Sequence, residues 1–190
     1  MKIDFSVITS TSRPASYRSF IYQMTTQLCK GINVEHIVVQ EGSKFDDFYS
    51  ANMVNLILKR QPIHDDYGAT AKDTGLAMAR GEYVCFFDDD NIYYPKAIST
   101  MYSTVMGHDI GICRVHYKDT IIPPRVGQWG TGSIIESGKI DSMCFAIRTS
   151  LAQQFKWAGG GRFSDIRYLE KVKLLSCDIK FNDLIIGEHL

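Results

Sequence analysis

The chain has 190 residues, 45% of them hydrophobic, and 21 basic side chains balance 21 acidic ones to a formal net charge of zero. That length fits one domain, and that apolar content excludes a disordered chain. A zero balance argues against a nucleic-acid partner, which normally meets a basic excess. No apolar stretch reaches the roughly 18 residues of a membrane span. The five cysteines (Cys29, Cys85, Cys113, Cys144 and Cys177) show no CxxC spacing, so no zinc site is expected. Met1-Lys2-Ile3-Asp4 leads straight into a strand, so no signal peptide is expected. Together these features predict a reducing, cytoplasmic setting.

In chain order, Ile3 to Thr9 reads as a first strand and Ala15 to Cys29 as a helix after the Ser-Arg-Pro turn. Val34 to Gln40 is a second strand, stopped at Glu41-Gly42-Ser43. A short helix over Phe45 to Asn52 and a strand over Val54 to Lys59 follow. Thr70 to Ala79 is a helix between two glycines, Tyr83 to Phe87 a fourth strand, Pro95 to Val105 a helix and Ile110 to His116 a strand. This alternation predicts an α/β fold with a mostly parallel sheet flanked by helices. After Asp119 the pattern loosens. Lys139 to Arg148 reads as a strand, Ser164 to Ser176 as a helix with Ser164 as N-cap, and Leu184 to Leu190 as an apolar tail.

The segment GEYVCFFDDDNIYYP, Gly81 to Pro95, carries the sharpest chemistry. A buried strand there runs into Asp88, Asp89 and Asp90. Adjacent carboxylates repel one another unless a cation sits among them, and a hard divalent ion takes such oxygen ligands. A solvated acidic turn is the plainer alternative. Parallel sheets bind ligands beyond the carboxyl ends of their strands, where Thr9 to Arg13, Gln40 to Ser43 and Asp88 to Asp90 gather. Neither a GxxxxGK[ST] phosphate loop nor a GxGxxG after the first strand is present. A GxSxG elbow is also missing.

Four blocks in order, FSVITSTSRP (Phe5 to Pro14), EHIVVQEGS (Glu35 to Ser43), DYGATAKDTGLAMARGEYVCFFDDD (Asp66 to Asp90) and NIYYPKAI (Asn91 to Ile98), resemble the GT-A glycosyltransferases of the family-2 type. The resemblance covers about the first 100 residues. It departs from the family at Gln40, where an acid is common, and at Lys72-Asp73, where Arg-Asn is usual. A clear Glu-Asp pair and a QxxRW motif are missing from the second half. The resemblance implies one GT-A domain over residues 1–190. Residues 1–118 would form a nucleotide-sugar-binding half, and 119–190 a short, irregular acceptor and catalytic half.

It further implies a Mn²⁺- or Mg²⁺-dependent transferase that moves a sugar from a nucleotide-diphosphate donor, a UDP-sugar, to a hydroxyl of a sugar or glycan acceptor. Asp90 would bind the metal, and Asp88 or Asp89 the ribose or the ion's water shell. Asp88 is also a possible metal ligand. Thr9, Thr11, Arg13 and Glu41 would line the base and ribose pocket, with Lys72 toward the nucleotide. An ordinary surface ion pair is the other reading of Arg13. Asp165, after the glycine break, stands where such enzymes place their general base, and ordinary first-turn helix charge is its other reading. Asp141, Glu136 and Glu170 are further base candidates. His189 would complete the metal shell, or else sit on a frayed terminus. Trp129 would stack on a sugar ring or simply pack. Two other functions stay open: a non-catalytic nucleotide-sugar or glycan-binding module, and a nucleotidyltransferase, although Thr9 to Pro14 lacks that class's glycine-rich loop.

Overall fold

The computed structural model describes residues 2–42, 55–125, 135, 139–157, 159, 161, 163–175 and 178–190. The first strand is β1 (Phe5–Thr11), followed by α1 (Pro14–Thr25) and β2 (Val34–Glu41). Next come β3 (Asn55–Gln61), α2 (Ala69–Met78) and β4 (Tyr83–Phe86). β5 (Ile92–Tyr93), α3 (Ala97–Val105), β6 (Ile110–Tyr117) and β7 (Thr120–Ile122) follow. A 3₁₀ turn (Ser142–Cys144) leads into β8 (Phe145–Arg148), α4 (Thr149–Ala152), α5 (Ser164–Lys173) and β9 (Ile179–His189).

One sheet joins the strands in the order β3-β2-β1-β4-β8-β6-β9-β5, with β7 beside β6. The pairs β3-β2, β2-β1 and β1-β4 are parallel. β1, β2 and β4 are buried on both faces, as Phe5, Val7, Ile8, Ile37, Val38 and Val39 show, whereas the edge strand β3 is half-buried to exposed. At β4 the direction reverses: β8 runs antiparallel to β4 and to β6. The carboxyl end of β4 therefore meets the entry to β8, and the later half of the chain supplies its polar groups at that same edge.

Several boundaries differ from those the sequence predicts, each for a local reason. β1 extends to Thr11 rather than stopping at Thr9, pairing in register with β2 to its end. α1 starts on Pro14, whose missing N–H suits a first helical position. It ends at Thr25, where the Thr25 and Thr26 hydroxyls donate to the Tyr22 and Gln23 carbonyls. The strand expected over Lys139 to Arg148 begins only at Phe145. The Asp141 carboxylate accepts from the Met143 amide at 3.0 Å and curls the chain into the 3₁₀ turn. Ser164 opens α5 as its first residue, with Phe163 at the cap position and no side-chain cap bond. The tail from Leu184 is the second half of β9, paired to β6 through Tyr117–His189. The helix expected over Phe45 to Asn52 lies outside the described residues.

Gly81 sets up β4 and the acids beyond it. A Cβ there would lie 2.6 Å from the Ser6 amide nitrogen and 2.8 Å from the Phe5 carbonyl carbon. Backbone cannot yield cheaply, so Gly81→Ala should destabilise the fold by ~1–3 kcal/mol, the range for overpacking. Chemical denaturation reads this directly, and an unchanged midpoint would contradict the tight β1–β4 approach. Among the described residues no helix is long and apolar enough to cross a membrane.

Candidate active site

The carboxyl ends of β1, β2 and β4 share one edge, and a cleft of ≈ 420 Å³ opens there. Thr11, Arg13 and Glu41 line one side, and Lys72, Asp88 and Asp90 the floor. Asp141, Asp165 and His189 enter from the later half of the chain. β4 ends at Phe86, and the turn at Asp89 and Asp90 separates the acidic triplet. Asp88 and Asp90 face the cleft, whereas Asp89 turns inward and is buried. Asp89 accepts from the Thr11 hydroxyl at 2.5 Å and from the Arg13 guanidinium at 2.6 Å. Burial raises its pKa against the pull of those two donors. A second guanidinium nitrogen of Arg13 reaches Asp90 at 2.8 Å, so Arg13 clamps Asp89 and Asp90 together. Glu41 is held by the Gln61 amide at 3.0 Å and the His64 ring at 2.9 Å.

Lys72 is the buried cation of the site. Its ammonium lies 3.1 Å from Asp88 and 3.8 Å from Asp165. Burial disfavours its charge, but Asp88, Asp165 and Asp141 outweigh that and raise its pKa. Ser142 ties the group together: its hydroxyl donates to Asp88 at 2.8 Å and its amide to Asp165 at 3.3 Å. Asp165 has its pKa pushed up to about 6, first by burial and then by the Asp141 and Asp88 charges, against the pull of Lys72. Asp141 goes the other way. Burial pushes it up, but the His189 ring and the Met143 amide outweigh that and hold it low. His189 Nε2 lies 3.4 Å from Asp141, and that partner raises the imidazole's pKa against burial.

An aromatic stack beneath the cleft fixes these carboxylates. Trp157 lies parallel to Tyr168 of α5, at 4.4 Å and 9° between planes, and meets Phe86 of β4 edge-on at 4.7 Å. The Lys72 ammonium sits 4.8 Å above the Trp157 ring, a cation–π contact. The last strand residue before the acids, the helix of Asp165 and the buried cation thus pack on one indole.

Thr9 does not reach the cleft. The strand runs two residues beyond it, so Thr9 sits about 7 Å below the edge, buried, with its hydroxyl 3.0 Å from His36. Asp89 likewise lies off the cleft wall and braces Thr11 and Arg13. Arg13 is more than a surface pair, since one of its two carboxylate partners is fully buried. His189 is not frayed: it ends β9 against Tyr117, ring to ring at 4.8 Å. Glu170 is exposed on α5 and outside the cleft, and Glu136 and Trp129 lie outside the described residues. Ser142 is the residue the motif reading missed. A serine breaking the apolar run Ile140 to Ile147 is its only sequence signal.

The donor set bears on a metal ion. Among the described residues, no group of three Asp, Glu, His or Cys side chains stands ready to hold one. Asp90, 43% exposed at its side chain, offers carboxylate oxygen to the cleft. An ion of the Mg²⁺ or Mn²⁺ kind commonly takes one or two carboxylates and completes its shell with substrate phosphates and water. The residues therefore fit an ion shared with a bound diphosphate rather than a preformed protein cage.

A parallel-to-antiparallel sheet with acids at the ends of β2 and β4 is the GT-A architecture of nucleotide-sugar transferases. The chain belongs to glycosyl transferase family 2, whose model matches residues 7–149. Among solved structures it is similar to residues 1–349 of S. aureus TarS, with TM-score 0.78 and 17% identity over 98% of this chain and 60% of that one. The same TarS fragment in complex with UDP aligns with TM-score 0.75 and 18% identity, again over 98% and 60%. The mannosyltransferase PcManGT from Pyrobaculum calidifontis, in complex with GDP-Man and Mn²⁺, gives TM-score 0.69 and 15% identity over 100% of this chain and 57% of that one. The chain thus spans 60% or less of these solved chains. No curated protein sequence matches it.

Proposed function

We propose that this domain transfers a sugar from a UDP-sugar to the hydroxyl of a sugar or glycan acceptor, with a divalent ion bound beside Asp90. The observation that carries this reading is the meeting of Asp88, Asp90, Lys72 and Asp165 in one cleft at the strand ends. The uridine assignment follows the UDP and UDP-GlcNAc complexes of TarS. Residues 1–118 form the donor half and 119–190 the acceptor half. The free, buried thiols of Cys85, Cys113 and Cys144 fit a cytoplasmic setting.

In the transfer step, the acceptor oxygen bonds to the sugar's anomeric carbon as the carbon–oxygen bond to the diphosphate breaks. The electron pair leaves on the diphosphate, and the acceptor's proton passes to a carboxylate. Asp165 suits that proton better than Asp141, because a base works best when its pKa lies near the operating pH and Asp141 is held low. Lys72 anchors Asp88 and Asp165 in place, and Arg13 orients Asp90. When bound, the ion supplies Lewis-acid charge for the leaving diphosphate, with Asp90 as its protein ligand. His189 and Asp88 border the same cleft as further possible ligands.

Calorimetric titration of UDP with Mn²⁺ and with chelator, alongside turnover of radiolabelled UDP-sugars, tests the reading. UDP should bind weakly in chelator and tightly with the ion, since bare carboxylates repel a diphosphate. Asp90→Asn should erase most of that difference, a loss of ~10–100-fold in Mn²⁺-dependent affinity, on the scale seen when a metal site loses a supporting group. Equal UDP affinity in chelator would overturn the shared-ion reading.

A further inference from the structure

A second cavity of ≈ 340 Å³ adjoins the donor cleft. The two share Asp141, Asp165 and His189, and no other lining residue. The walls are otherwise unlike. The donor cleft is lined mainly by acids, Arg13, Lys72 and hydroxyls. The second cavity has a floor of buried Ile122, Ile140 and Ile166 and a rim of two aromatic rings, Tyr117 and Phe163. Phe163 is 49% exposed, a large apolar side chain facing open space. Among the described residues, neither Lys nor Arg lines this cavity, and its acids are the two shared carboxylates.

The geometry points to this cavity as the acceptor site, built for an uncharged acceptor that carries an aromatic or other flat apolar group beside its reactive hydroxyl. The inference rests on the transferase reading for the identity of the shared carboxylates. Position argues first: in an inverting displacement the acceptor approaches the anomeric carbon from the side away from the diphosphate with a base in reach, and both Asp141 and Asp165, the latter the proposed base, border the two spaces. Charge argues next. A phosphorylated or carboxylated acceptor would face Asp141 and Asp165 with, among the described residues, no Lys or Arg on this side, because the Lys72 ammonium is buried on the donor side and the His189 ring is already engaged by Asp141. Shape argues last. A free sugar satisfies hydroxyl partners, but three isoleucines and two rings offer it few, whereas they gain by covering an apolar group.

The test uses methyl and phenyl glycosides of glucose, galactose and mannose, with the phenyl glycoside 6-phosphates as the anionic arm. Each is titrated by calorimetry into the protein saturated with UDP and Mn²⁺. At least one phenyl glycoside should bind ~10-fold or more tighter than its methyl counterpart, the factor that about 1.4 kcal/mol of ring contact represents. Its 6-phosphate should bind more weakly. Phe163→Ala and Tyr117→Ala should each remove most of the phenyl advantage, whereas Leu174→Ala, on an exposed side chain away from both cavities, should keep it. Phe163→Leu guards against a folding artefact, since it keeps apolar bulk and loses only the ring. Equal methyl and phenyl affinity, preference for the phosphorylated probe, or a phenyl advantage that survives both aromatic substitutions would overturn the proposal. If UDP itself fails to bind while the phenyl preference appears in its absence, the transferase reading falls and the apolar glycoside site stands.

Discussion

Replacing Asp165 by asparagine should lower turnover by ~10²–10⁴-fold, the usual contribution of a positioned general base, with donor affinity nearly unchanged. The isostere keeps an oxygen to accept from the Ser142 amide, and Lys72 keeps Asp88 at 3.1 Å, so the fold should survive. The pH profile adds a sharper sign. The Asp165 carboxyl titrates near pH 6 because burial and the neighbouring acids favour its neutral form. A base works only when deprotonated. The parent's rate should therefore fall as pH drops through about 6 and level off above it. That acid limb should vanish from the residual rate of Asp165→Asn. Steady-state kinetics from pH 5 to 8 (assay conditions bracketing the value) decide it. Unchanged turnover would remove Asp165 from the chemistry.

The second large effect belongs to Lys72. Lys72→Met keeps the volume and the packing on Trp157 but deletes the cation facing Asp88, Asp165 and Asp141. Breaking a buried ion pair from one side leaves uncompensated charge and costs ~3–5 kcal/mol. The loss should be largest at pH 8, well above the raised value of about 6 at Asp165. It should shrink as pH falls and protons replace the missing cation, because a raised carboxyl pKa shifts stability toward acid. Denaturant unfolding at pH 8 and pH 5.5 measures both the size and the sign. A variant as stable as the parent at pH 8 would mean that Lys72 does not hold the acids together.

Apolar runs predict β1, β2 and β4, because strands buried on both faces write themselves as Val, Ile and Phe, while the edge strand β3 shows through the shorter Leu56-Ile57-Leu58 run. The abrupt Phe87-to-Asp88 boundary marks the edge where ligands bind. What escaped were matters of two residues or of three dimensions. Thr9 and Thr11 look alike in a β-branched run, and only pairing with β2 decides which one ends the strand. Asp89 looks like its neighbours, and only the fold turns it inward onto Thr11 and Arg13. Asp141 disguises the 3₁₀ turn as strand, since its capping bond interrupts an otherwise continuous apolar segment. The two short strands β5 and β7 are set by their partners β9 and β6 rather than by their own residues. Ser142 carries no motif at all; it matters because β8 runs antiparallel beside β4.

That antiparallel join also bears on how the molecule comes together in time. The polar bonds of the cleft link residues 78 positions apart for Thr11 and Asp89, 76 for Arg13 and Asp89, and 54 for Ser142 and Asp88. Bringing such distant segments together carries a loop-closure entropy that no local helix or hairpin repays in advance. Chains dominated by contacts of this kind fold slowly for their size. Until the two halves of the sheet join, Asp141 and Asp165 lie on a segment separate from the Asp88 to Asp90 triplet. Binding competence should therefore arrive late on the folding path, and recovery of ligand binding after dilution from denaturant should report the final docking of the two halves of the sheet.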